Sequence, residues 1–147
     1  MDNNLVLTAR FIVGFTWLYE GLWLKILRPS GEELRVIETV FDRLFGRFHV
    51  TPLDMLHAIG SVETMLAIGV LAGWNPRLLA SIQILLVLGM DGVGIALGRN
   101  TLSDPIGMIM KDLTFLICIL LIGLYDNQER GGKRPATPRG KRKPAAE

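Results

Sequence analysis

The chain is nearly without cysteine and histidine. Cys118 is its single cysteine, and His49 and His57 are its two histidines, in 147 residues. One thiol closes no intramolecular disulfide and makes no CxxC redox or metal motif. The two histidines make no metal site by themselves and have no haem-ligand logic, so no metal is assigned. No flavin, haem or iron–sulfur motif is present either, so any electrons must come from a partner. The N-terminus reads MDNN, with an acid and no Lys or Arg. That is not the basic start of a secretory signal peptide, and the first apolar segment is expected to stay in the mature protein. Segments such as LLASIQILLVLG and LTFLICILLIGLY lack a polar face. A soluble four-helix bundle needs one on every helix.

What the chain has is apolar sequence, in blocks. Half of it is apolar and the mean hydropathy is +0.37. Four stretches, at about 5–27, 52–73, 76–98 and 105–125, are each near the roughly 20 residues that cross a bilayer core as a helix. The expected fold is all-α: an integral membrane four-helix bundle. Thr51-Pro52, Asn75-Pro76 and Asp104-Pro105 each put a capping side chain before a proline, which suits the first position of a helix. Trp74 and Tyr125 fall at span ends, where amphipathic rings suit the interface. The short links after Gly73 and Gly98 imply antiparallel pairing of spans two with three and three with four.

The connector, about 30–49, is different. Ser30 and Glu33 read as a capping box. Leu34, Ile37, Phe41, Leu44, Phe45 and Phe48 recur at helical spacing among charged residues. This amphipathic helix lies either in the membrane interface or over the mouth of the bundle. The segment 126–147 is expected to be a disordered tail, with little apolar to bury. Seven of the 16 basic residues lie in the last 18 positions. By the positive-inside rule this tail is cytoplasmic, and an even number of spans puts the N-terminus there too. The expected location is a membrane, with lipid as the surroundings. Nothing aromatic interleaves the basic residues, so no nucleic acid partner is expected.

Charged residues within the spans carry the functional signal. A charge at the centre of a span costs roughly 2.5–3.5 kcal/mol, and intramembrane ionisable groups face the bundle interior or water. At 1.5 Å per residue, Glu20, Asp91, Lys111 and Asp112 all fall about 10 Å below the surface on the connector side. Glu63 is deeper and His57 shallower. Each span thus contributes to one ionisable layer, with Lys25 beside it. Arg10, Gly14, Trp17, Gly21 and Lys25 form one stripe on the first span, which turns Trp17 inward as a stacking surface for a flat ligand. Gly60 and Glu63, then Asp91 and Gly94, do the same on spans two and three. The candidate buried site is therefore Trp17, Glu20, Lys25, His57, Glu63, Asp91, Lys111 and Asp112. Pairing that merely fixes helix register is the structural alternative. The acids outnumber the bases, so pairing alone leaves a carboxyl group that holds a proton or another partner.

The stretches WLYEGLWLKIL, GEEL and GSVETMLAIGVLAG resemble the DoxX-like family of small four-span bacterial membrane proteins. Trp17-x-x-x-Gly21-x-x-x-Lys25 followed by Glu33 is similar to the opening signature of one branch. Gly60-x-x-Glu63 with Gly69 beyond it resembles the second-span motif. The resemblance implies a membrane subunit or partner of an oxidoreductase linked to quinone, with Lys25 and Glu63 as site residues. Three functions stay open. In the first, the protein binds a quinone through Trp17, a lysine and the acids of the layer. In the second, it is a small proton or solute transporter or channel. In the third, it is a non-catalytic scaffold subunit. An oxidoreductase partner and a homo-oligomer both fit four spans, which are few for enclosing a pathway. No catalytic residue is assigned.

Overall fold

A computed structural model describes residues 3–29, 31–45 and 51–132. Ser30, Phe48, His49 and residues 133–147, which include most of the basic tail, lie outside the described residues. The helices are α1 (Asn3–Leu18), a π-helical segment (Tyr19–Leu27), α2 (Gly31–Phe45), α3 (Pro52–Leu71), α4 (Pro76–Gly98) and α5 (Pro105–Gly132). No strand occurs among the described residues. Four stretches are long and apolar enough to cross a membrane: Asn4–Leu27, Pro52–Leu71, Pro76–Gly98 and Pro105–Tyr125. The last helix runs on to Gly132, past the expected end of the span. Nothing between Asp126 and Arg130 breaks a helix, and the first strong breaker is the glycine pair Gly131–Gly132.

The starts of the spans follow their caps. Thr51 Oγ1 accepts the Asp54 N–H at 3.1 Å, and Asp54 Oδ2 accepts the Thr51 N–H at 3.3 Å. Asn75 Oδ1 accepts the Leu78 N–H at 3.4 Å, and Asp104 Oδ1 the Gly107 N–H at 2.9 Å. These bonds satisfy amides that the first helical turn leaves without partners. α3 ends in a Schellman turn, with the Trp74 N–H on Gly69 O and the Gly73 N–H on Val70 O, both at 3.0 Å. Gly73 sits there at φ +68°, and a Cβ would come within 2.7 Å of the Arg10 guanidinium.

α1 packs between α3 and α5, the π segment packs on α3, and α4 pairs with α5. α3 and α4 touch only lightly, with Gly69 against Leu79 near their turn. At the other end α2 packs against both of them. Its buried residues are Val40 and Phe41, and Val36 and Val40 lie against Gly98. The connector thus caps the bundle mouth. Its contact face is rotated toward Val36 and Val40, which the apolar spacing alone does not single out. The common core takes Val13 and Trp17 from α1, Ala67 and Val70 from α3, Ala80 and Val87 from α4, and Ile119 and Ile122 from α5. The opposite faces stay apolar and bare: Leu85, Met65 and Ile106 are 73%, 72% and 71% exposed. Bare apolar faces on every span are what lipid solvates, and water does not.

Candidate functional site

The site begins with the π segment. In an α-helix, residues five apart lie about 140° apart around the axis, so Glu20 and Lys25 would point different ways. The i→i+5 pattern of Tyr19–Leu27 brings such pairs into line, and the Arg28 N–H closes it on Trp23 O at 2.8 Å. Lys25 Nζ then lies 3.9 Å from Glu20 Oε2. π segments are rare, and they concentrate at functional sites.

Two glycines dock this segment on α3. A Cβ at Gly21 would lie 2.7 Å from both Gly60 O and Glu63 Cβ, and one at Gly60 would lie 2.7 Å from Gly21 O and 2.8 Å from Lys25 Cβ. With no side chain at either position, the backbones approach closely enough for Lys25 to reach Glu63. Lys25 Nζ sits 2.9 Å from Glu63 Oε2, with Lys25 5% and Glu63 1% exposed. The contact is a close ion pair between two enclosed side chains. Glu33, in the first turn of α2, adds a third carboxylate, its Oε1 3.5 Å from the same ammonium.

The network continues across the bundle. Glu20 Oε1 lies 3.7 Å from Lys111 Nζ on α5. Beside Lys111, Asp112 and Asp91 are within hydrogen-bonding reach of each other, which links α5 to α4. Five carboxyl groups therefore share two ammonium groups. Lys25 is enclosed, whereas the Lys111 side chain is 68% exposed on the outside of the bundle within its span. The π segment hardly touches α5, so this end of the network opens sideways toward lipid.

Two of the expected site residues lie elsewhere. Trp17 does turn inward, but its N–H donates to Gln83 Oε1 at 2.7 Å and its ring lies against Phe115, 5.5 Å between centroids. The surface expected to stack on a flat ligand is thus used by the core. His57 lies near Asp54 in the first turns of α3 and is partly buried there. Two residues outside the expected site also make polar contacts in the interior. Glu33 was assigned to a helix cap. Gln83, 3% exposed, is the amide inside an apolar run, and its Nε2 donates to Leu79 O at 3.0 Å. Among the described residues, no group of three or more His, Cys, Asp or Glu is arranged to hold a metal ion. Cys118 is partly buried against the core.

The residues that meet at Lys25 are those of the motifs: Gly21, Lys25 and Glu33 from one, Gly60 and Glu63 from the other. A model of the DoxX-like family matches residues 14–120, most of the chain. The chain belongs to the DoxX-like family. No curated protein and no solved structure matches it. The matched region of this DoxX-like protein contains every residue of the ion network, from Glu20 to Asp112. It is a small multi-pass membrane protein, and the stretches that carry the resemblance meet at one buried ammonium.

Proposed function

We propose that this DoxX-like protein is a membrane subunit of a quinone-linked oxidoreductase in a bacterial inner membrane, with both termini cytoplasmic. It works with a partner that delivers the electrons, and its own task is to hold the quinone head and handle protons. The observation that carries this reading is the ion network: it has more carboxyl groups than ammonium groups and ends at a lipid-facing lysine. Reduction of a quinone consumes protons, and carboxyl groups in low dielectric are suited to hold and release them.

The fit is specific about position. The cavity beside Arg10, Trp74 and Gln83 has a volume of about 10 Å³, room for one water and not for a ring. Lys25 is occupied by three carboxylates. The end open to the bilayer is the one a lipid-soluble head reaches, and there Lys111 offers N–H donors to a carbonyl oxygen. Asp91, Asp112 and Glu20 stand beside it as proton carriers. The quinone, when bound, supplies the electron-accepting ring. The chain's residues orient it and connect it to protons.

The test is to purify the protein in mild detergent and quantify quinone per chain by mass, for wild type, Lys111→Gln and Glu63→Gln. The expected result is near-stoichiometric quinone in wild type and loss with Lys111→Gln. A well-folded wild type free of quinone overturns the quinone assignment. Proton flux in liposomes then becomes the measurement of interest, because the same acid-rich network suits a proton pathway.

A further inference from the structure

We propose that the ion network is a sided proton path, with its aqueous mouth at Glu33 on α2 and its inner end at the Asp91–Asp112 pair within the spans. This rests on the proton-handling part of the function above and not on the quinone. The geometry is an alternation of acid and base. Glu33 lies 3.5 Å from Lys25, Lys25 lies 3.9 Å from Glu20, and Glu20 lies 3.7 Å from Lys111. Lys111 neighbours Asp112, which in turn reaches Asp91. Every carboxyl group on this line is next to an ammonium group or to another carboxyl group.

Alternation matters because each ammonium can give a proton forward as it takes one from behind. A proton taken up by Glu33 passes to Lys25 while Lys25 hands one of its own to Glu20. Glu20 and Lys111 repeat the exchange, and Lys111 gives its proton to Asp112. Both lysines end as they began, and one proton has moved from water to the aspartate pair. The separations exceed a hydrogen-bond length of about 3 Å, so each exchange needs a small side-chain rotation or a bridging water. Glu63 stands off this line. It is fully enclosed, and as a positioning residue it holds Lys25 in place from α3.

The sidedness follows from where the two ends sit. Glu33 belongs to the amphipathic helix outside the spans; its side chain is 28% exposed, with Oε2 turned inward and Oε1 toward Lys25, so a small movement of α2 opens it to water. Among the groups that face it are Lys25 from the π segment and Glu63 from α3. The aspartate pair lies within α4 and α5, faced by Lys111 and Glu20.

The test labels carboxyl groups. Dicyclohexylcarbodiimide partitions into lipid and reacts with protonated carboxyl groups, and mass mapping locates the adduct. Proteoliposomes sorted by orientation are held at separately set pH on the two sides. Labelling of Asp91 or Asp112 is expected to rise several-fold when the α2 side is acidified and to ignore the opposite side. Glu33→Gln should abolish the response, while Glu33→Asp and the α2 surface change Asp42→Asn should keep it. A water-soluble carbodiimide should label Glu33 and spare the aspartate pair. Labelling that follows the opposite side, that ignores pH, or that responds in Glu33→Gln as in wild type overturns the path. The wild-type arm decides sidedness even if Glu33→Gln does not fold. Sided labelling in a protein that carries no quinone would leave the path standing and remove only the quinone.

Discussion

The two halves of this bundle solve burial in opposite ways. Toward the α3–α4 turn, the helices meet through aliphatic residues and one satisfied polar pair, Trp17 with Gln83. Toward α2, they meet through charges: two lysines and five acids, held by a glycine-to-glycine backbone contact. The first half is cheap to build, because every buried group is apolar or hydrogen-bonded. The second is expensive, because desolvating ions costs several kcal/mol per ion before attraction offsets it. A fold that needed only stability would have made both halves alike. That difference is what supports placing the proposed function on the α2 side.

The comparison can be broken most severely at Lys25. Lys25→Met leaves Glu63 buried beside no cation, and the expected loss is about 3–5 kcal/mol of stability in detergent unfolding. The double change Lys25→Met with Glu63→Leu should recover most of it. If it recovered none, the pair would not be the costly element. Next comes the docking contact. Gly60→Val places new atoms against Gly21 O and Lys25 Cβ, where the backbone cannot yield, and should cost about 1–3 kcal/mol or more. In contrast Gly89 has open space around it, and Gly89→Ala should lose nothing and gain up to about 1 kcal/mol from helix propensity. In the other half, Trp17→Phe strands Gln83 Oε1 and should cost about 1–3 kcal/mol without altering carbodiimide labelling of the network. Thr51→Ala removes the α3 cap and should cost about 1 kcal/mol, the smallest of the expected losses.

Much of the fold was legible because hydropathy and caps act locally. Thr51, Asn75 and Asp104 announce their helices within three residues, and the apolar blocks declare the spans. Depth arithmetic also works from sequence, since helix rise is nearly constant, and it aligned Glu20 with Lys111 across two distant spans. What the sequence hid was non-local or non-standard. A reading at α-helical spacing leaves Glu20 beside the Lys25 stripe and not on it, and the π segment removes that offset. Glu33 has a plausible local role as a cap residue, and its ion contact with Lys25 depends on how α2 folds back over the mouth. Gln83 carries no charge, so a search for ionisable groups passes over it, although an amide in an apolar run needs a partner just as a charge does. Trp17 was correctly turned inward, but periodicity cannot say whether an inward ring meets a ligand or a neighbour.

The π segment also changes how this protein measures a membrane. Its hydrogen bonds enclose more residues in each turn, so it climbs less per residue than an α-helix. The first span uses 24 residues where α3 uses 20. Counted by residues, the first span would suit a thicker bilayer than its neighbour, yet both must cross the same one. The π segment makes the first span shorter than a plain α-helix of the same 24 residues, and the wider winding falls at the level of the charges.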